Sequence, residues 1–230
     1  MNYHLQKWQR IAILLSILVF GFILRTFNLD APSIGYHNMK ENEYLSMAQE
    51  MNRSGDYVDR KIYFYLSFDK DPRFKLYPQV PLVSYQTILA WKVLGENLWA
   101  PRLVNVLFGL LSIVVMYLIA QILFRNTVVS LFTAFLMALM PLAVFFSRNL
   151  QPESPGFFFM ALGTLFYLRF AAALKKKSLV WAGLAFSIAW AYKFSFIIGM
   201  LPVLLYLPYK KLFADRKEFV RSALLSLAPF

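Results

Sequence analysis

The sequence predicts an all-α protein: a polytopic transmembrane helix bundle with a large first extracytoplasmic loop that carries interfacial helices. Three observations predict it. Hydrophobic residues make up 59% of the 230-residue chain and charged residues only 16%, whereas a soluble domain carries about a quarter charged. Uncharged runs long enough to cross a bilayer follow one another; residues 103–124 and 126–147 are 22 residues each without a charge. Basic residues fall at every second boundary between runs: Lys7 and Arg10, then Arg125, then Lys175, Lys176 and Lys177, then Lys210, Lys211, Arg216, Lys217 and Arg221. This alternation puts the N-terminus and all four clusters on the cytoplasmic side. It also removes nucleic acid as a partner, which a net charge of +12 would suggest in a soluble protein. With no cysteine, disulfides, thiolate metal sites and cysteine nucleophiles are excluded.

The first span is read at 8–27. Its uncharged core, Ile11 to Leu24, is short, but Trp8 and Phe27 extend it and Arg10 and Arg25 snorkel to the two interfaces. No small-residue cleavage site follows, so the run is a retained helix rather than a signal peptide. Further spans are expected at 103–124, 126–147, 154–174, 178–192 and 194–209, with a seventh beginning at 222–230. Nine apolar residues cannot cross a bilayer, so the chain reads as the N-terminal part of a longer protein. Arg169, near the cytoplasmic end of its span, reads as a snorkelling anchor.

The extracytoplasmic loop, 28–100, holds nine of the twelve acids. A helix is expected over 41–52, with Asn38 as cap, Gly55 as stop, and Tyr44, Leu45, Ala48 and Met51 on one face. A second helix is expected over 81–94. Pro81 suits its first turn, Gly95 its end, and Leu82, Tyr85, Ile88, Leu89 and Trp91 form an apolar stripe suited to the interface plane. The segment between them, "YVDRKIYFYLSFDKDPRFKLYP", reads as a mixed aromatic and charged connector.

All outward polar features then converge on one membrane face. Glu41 and Glu43 come from the first loop, Arg148 and Glu153 from the second, Lys193 from the third, and Arg102 opens the second span. Carboxylates beside fixed cations at a bilayer surface suit a lipid-linked phosphate. The cations hold the leaving phosphate, and a carboxylate deprotonates or orients an acceptor hydroxyl, which is worth roughly 10²–10⁴ in rate. Helical phase separates the two loop acids. Glu41 shares the face of Tyr44, Leu45 and Ala48 and points inward, whereas Glu43 turns towards Glu50 and water. Bland readings stand beside these: Arg102 as an interface anchor, Arg148 and Glu153 as a structural pair, Lys193 as an anchor rather than an anion ligand. Tyr77 and Tyr85 suit a sugar site, and equally any membrane interface. His37 has no second histidine on its side, so no histidine metal site is expected and no cofactor is required.

Several ordered segments resemble the N-terminal half of the GT-C membrane glycosyltransferases, in the group of protein O-mannosyltransferases and the aminoarabinose transferase of lipid A. "KENEYLSMA" resembles the acidic loop motif, with Glu41 in its Glu place. "YPQVPLVSYQTILAWKVLG" resembles the proline-led interfacial helix. "APRLVNVLFGLL" resembles the entry to the second span and "PLAVFFSRNLQPESPGFFF" the next outer loop, and Lys193 ends the fifth span. The resemblance implies a GT-C-like fold and inverting transfer of a sugar from a polyprenyl-phosphate donor to a glycan, lipid or protein acceptor at the extracytoplasmic face. On that basis Glu41 is the expected catalytic carboxylate. Glu153, Glu43, Tyr44, Tyr77 and Tyr85 are expected on the acceptor or sugar, and Arg102, Arg148 and Lys193 on the phosphate. One departure stands out: the family commonly has aspartate where this chain has Lys40. The competing class is a transporter or lipid flippase, which would place charges or broken helices at the midplane and repeat its halves. Neither an internal repeat nor a charge within 103–124 or 126–147 is found.

Overall fold

The computed structural model describes residues 5–34, 38–58, 60–64, 73–201 and 220. The chain runs through helix α1 (Lys7–Thr26), α2 (Met39–Ser54), strands β1 (Lys61–Phe64) and β2 (Arg73–Leu76), then α3 (Leu82–Leu94) and α4 (Trp99–Phe124). It continues with α5 (Thr127–Leu139), α6 (Pro141–Arg148), α7 (Glu153–Ala173), α8 (Lys176–Tyr192) and a 3-10 helix, Phe194–Met200. His37, residues 202–209 of the expected span 194–209 and the expected run 222–230 lie outside the described residues; the described start of that span is the 3-10 helix.

By length and composition α1, α4 and α7 can each cross a membrane. Their outward faces fit that role. Phe20, Phe22 and Ile23 of α1 and Leu107 and Leu111 of α4 are exposed, which is costly in water and favourable in lipid. Helix α4 is the central element and packs on α5, α7, α6, α3 and α1, while α7 pairs closely with α8. Local chemistry sets the boundaries. Asn126 caps α5 by accepting from the Val128 and Val129 N–H groups at 2.9 and 3.3 Å. Gly55 ends α2 with φ 73°, a backbone conformation that glycine adopts without strain.

The expected span 126–147 is not one straight helix. It breaks at Met140–Pro141, where α5 and α6 meet at 55°. Proline has no N–H to give the Met137 carbonyl, and its ring opens the preceding turn. Arg25 of α1 fills the gap. Its guanidinium donates to the Ala138 carbonyl at 2.9 Å and the Met137 carbonyl at 3.2 Å, and to its own Gly21 carbonyl at 3.1 Å. Arg25 is therefore fully buried, not snorkelling as its sequence position suggests. Arg169 remains exposed and lies over the Phe166 ring, its guanidinium carbon 5.8 Å from the centroid.

The loop helices form where expected and pack onto one end of the bundle. Tyr44, Met47, Ala48 and Met51 of α2 share a core with Val83, Ile88 and Trp91 of α3, with Ala100 and Leu150, and with Tyr192 at the end of α8. Of the expected stripe of α3, Ile88 and Trp91 are buried, together with Val83, Ser84, Thr87 and Ala90, whereas Leu89 and Tyr85 face outward. The connector contains a feature not anticipated: β1 and β2 pair antiparallel, with Lys61 opposite Leu76.

Candidate functional site

Two polar assemblies lie where the loop helices meet the bundle. The first is centred on Glu41, which is fully buried. Arg102, at the start of α4, donates from Nε to Oε1 at 2.7 Å and from NH2 to Oε2 at 2.8 Å. The Leu150 N–H donates at 3.0 Å and the Ser33 hydroxyl at 2.7 Å. The second guanidinium arm donates to the Leu29 and Ala31 carbonyls at 2.8 and 2.6 Å. Burial raises the Glu41 carboxyl, but the hydrogen bonds from Arg102, Leu150 and Ser33, with the Arg102 charge, outweigh it and hold the group below its ordinary value. Both oxygens are saturated. This carboxylate is a clamp that ties α2, the segment after α1, α4 and the α6–α7 link together. It has no lone pair directed at a substrate. The inward direction expected for Glu41 is found, but the expected role as base does not fit, and Arg102, its partner, is not available to a phosphate.

The second assembly is a polar cavity of about 240 Å³. From α2 it receives Lys40, Glu43 and Tyr44, with Tyr77 ahead of α3; the start of α7 and the end of α8 bring Glu153 and Lys193. Glu43 is 8% exposed, so the expectation that it faces water is corrected. Glu43 borders the apolar stripe of α2, four residues before Met47, and closes this cavity together with Tyr44 of the stripe itself. Lys40 pairs with Glu43 at 3.6 Å. Lys193 Nζ, at the end of α8, donates to Glu153 Oε1 at 2.7 Å, where α7 begins.

Glu153 Oε2 is buried with no hydrogen-bond partner among the described residues. Glu153 also lines a second, apolar cavity of about 260 Å³ walled by Met137, Leu142, Phe146, Phe157 and Phe196. The two cavities thus meet at one carboxylate. Above it the Tyr44 and Tyr77 hydroxyls lie 3.0 Å apart. Burial pushes the Tyr44 phenol up, with the Tyr77 hydrogen bond and the Glu153 and Glu43 charges adding to it. Tyr77 is raised too, mainly by burial. Both phenols therefore stay protonated; one donates to the other, and the Tyr77 hydroxyl also lies 3.3 Å from Gln79 Oε1.

The sequence-read residues thus divide. Glu43, Tyr44, Tyr77, Glu153 and Lys193 converge on the polar cavity; Glu41 and Arg102 support its wall. Arg148 does not pair with Glu153 and lines a different cavity with Asn149. Tyr85 is remote, its hydroxyl donating to the Tyr57 carbonyl at 2.8 Å. Sequence reading missed Asn105, which is fully buried in α4. Its amide donates to the Asn149 and Gln151 carbonyls at 2.7 and 2.9 Å, and its oxygen accepts from Gln86 at 2.7 Å. An asparagine among the apolar residues of a span was its only signal.

Residues 78–230 match the model of a family described as dolichyl-phosphate-mannose-protein mannosyltransferase. The chain is 32% identical over 174 residues to the undecaprenyl phosphate-alpha-4-amino-4-deoxy-L-arabinose arabinosyl transferase of Pseudomonas paraeruginosa, covering 74% of this chain and 30% of that protein. It thus spans about a third of the length of such relatives. ArnT from Cupriavidus metallidurans shares the fold in its apo state, with a TM-score of 0.65 and 20% identity over 95% of this chain and 40% of ArnT. It does so also bound to undecaprenyl phosphate, with a TM-score of 0.57 and 21% identity over 96% of this chain and 38% of ArnT. The oligosaccharyltransferase of Archaeoglobus fulgidus aligns with a TM-score of 0.67 and 16% identity over 97% of this chain and 29% of the enzyme. The fold is therefore that of the GT-C membrane glycosyltransferases, and this integral membrane chain belongs to the dolichyl-phosphate-mannose-protein mannosyltransferase family.

Proposed function

We propose that the full-length protein transfers a sugar from a polyprenyl-phosphate donor to a glycan, lipid or protein acceptor, with inversion, in the cavity between α2 and the ends of α7 and α8. One observation carries the reading. The polar cavity is lined by a carboxylate of α2, Glu43, and by a cation at the end of α8, Lys193, and it meets an apolar cavity at Glu153. A polyprenyl tail suits the apolar side and a sugar phosphate the polar side. The relative solved with undecaprenyl phosphate supports a lipid carrier of this class.

Inversion requires the acceptor to attack from the face opposite the leaving group, so base and phosphate ligand belong on opposite walls. Lys193 then holds the phosphate, and Glu153 positions the lysine through its 2.7 Å hydrogen bond. Glu43 takes the proton of the acceptor hydroxyl as the acceptor oxygen bonds to the anomeric carbon. The bond from that carbon to the phosphate oxygen breaks, and its electron pair leaves on the lipid phosphate beside Lys193. The Tyr44 and Tyr77 hydroxyls donate to sugar or acceptor oxygens.

Charge distribution supports a site on the extracytoplasmic face of a prokaryotic membrane. The cavity lies at the ends of α4 and α7 opposite Arg125 and Lys175, and basic clusters favour the cytoplasm. The test is transfer by the full-length protein in membranes, with polyprenyl-phosphate sugars as donors. Lys193→Ala is expected to weaken productive donor use at least about tenfold at low donor concentration, the order of one charge-assisted contact. Unchanged donor dependence in that variant refutes the assignment, and no transfer from any such donor refutes the reaction.

A further inference from the structure

On the far side of the Glu41–Arg102 clamp lies a third cavity, of about 630 Å³, between α1 and α6. Its composition is divided. Leu24, Leu139, Val144 and Phe145 line it with apolar side chains, and Asn28, Asn149 and Arg148 line it with polar ones. Arg102 also borders it, but Glu41 already neutralises that charge. Arg148 is different. Its guanidinium donates to the Phe27 carbonyl and lies over the Phe27 ring, 6.0 Å from the centroid. Among the described residues it meets no carboxylate. Most of its five N–H donors remain for an outside partner.

The position limits what that partner is. Asn28 follows directly on the C-terminal end of α1, whose flank carries the exposed Phe22, Ile23 and Phe27, so the cavity opens at the level where hydrocarbon gives way to headgroups. A ligand there meets apolar side chains together with an unpaired cation and amide donors. Anionic amphiphiles present that combination, and the bilayer supplies them at high local concentration.

The geometry points to a binding site for an anionic bilayer phospholipid between α1 and α6, with its phosphate on Arg148 and Asn28 and its acyl chains along Leu139, Val144 and Phe145. The site is separate from the polar cavity. The link between α6 and α7 forms the partition: Asn149 faces the lipid cavity, the Leu150 N–H is held by Glu41, and Gln151 faces the polar cavity. The inference does not depend on the transferase reading, because lipid binding is measured without sugar donor.

The test uses the full-length protein purified in a zwitterionic detergent and titrated with phosphatidylglycerol or phosphatidylcholine of matched chains. Bound lipid is counted by native mass spectrometry, and thermal stabilisation is followed in parallel. Wild type is expected to retain phosphatidylglycerol at least about tenfold more tightly. Arg148→Gln is expected to lose about tenfold, the order of one charge-assisted hydrogen bond, and Arg148→Lys to keep part of the preference. Asn28→Asp is the second variant. Asn28 is exposed with φ 56°, a conformation aspartate also adopts, so the protein folds while an anion repels the phosphate. Equal binding of the two lipids, or wild-type preference in both Arg148→Gln and Asn28→Asp, overturns the proposal. Full displacement of the lipid by millimolar inorganic phosphate also overturns it, as it would show a site for a free anion.

Discussion

Replacing Glu41 with glutamine is predicted to damage the fold and leave the chemistry of each folded molecule intact. The wild-type carboxylate accepts four hydrogen bonds, two from Arg102, one from the Leu150 N–H and one from the Ser33 hydroxyl. A glutamine oxygen serves only one pair of these donors, and its amide group turns N–H bonds towards the other pair. Arg102, 3% exposed, is left as a buried cation without its anion. Breaking one side of a buried pair costs about 3–5 kcal/mol. At about 2–4 °C per kcal/mol for a chain of this size, the midpoint falls by roughly 6–20 °C. Arg102→Met is expected to fall similarly. The double variant Glu41→Met/Arg102→Met should lose less than the sum, because neither charge is stranded. Thermal unfolding of detergent-solubilised protein, read as loss of the monodisperse peak, gives all three numbers. A Glu41→Gln protein as stable as wild type but unable to turn over would refute the clamp and restore Glu41 as the base.

The same carboxylate gives a pH signature. Its folded-state value lies below its ordinary 4.5, so the unfolded chain binds the proton more readily and the clamp is fully stabilising above that value. Stability should fall as pH drops from about 4.5 through the depressed value, and this step should be absent in Glu41→Gln when melting is followed against pH. Asn105→Leu removes three hydrogen bonds, to Asn149, Gln151 and Gln86. At about 1 kcal/mol each it should cost about 3 kcal/mol and speed hydrogen exchange over residues 149–152. Gly109→Ala would bring a Cβ within 2.8 Å of Ser147 Cβ and 3.2 Å of Arg25 Nε. It should therefore force α4 from α6 and lower stability by about 1–3 kcal/mol in the same melting assay.

How much of this was legible in the sequence depends on the range of the interaction. Helices α2 and α3 were found to within about two residues because Gly55, Pro81 and Gly95 act on their immediate neighbours, while Asn38 stands at the start of α2 without a side-chain cap hydrogen bond. Helical phase alone turned Glu41 inward. Its partner lies 61 residues away, and no local pattern ties the two, so clamp and catalyst were indistinguishable. Glu43 was misread because the phase of one helix shows which residues share a face, not what covers that face. The bend at Pro141 was visible as a residue but hidden by the unbroken apolar run, and nothing local announced that Arg25 would cap the freed carbonyls. The β-hairpin escaped because four-residue strands are shorter than the window in which alternation can be read. The partnership of Glu153 with Lys193 instead of Arg148 follows from α7 and α8 packing side by side, a tertiary fact.

The central claim is that Glu43, and not Glu41, is the carboxylate that acts on the acceptor. The most direct measurement is turnover per folded molecule of full-length Glu43→Gln with a polyprenyl-phosphate sugar donor at saturation. The account predicts a loss of roughly 10²–10⁴ in kcat, with thermal stability close to wild type because the Lys40–Glu43 pair is long and its lysine largely exposed. Wild-type turnover in Glu43→Gln would contradict it.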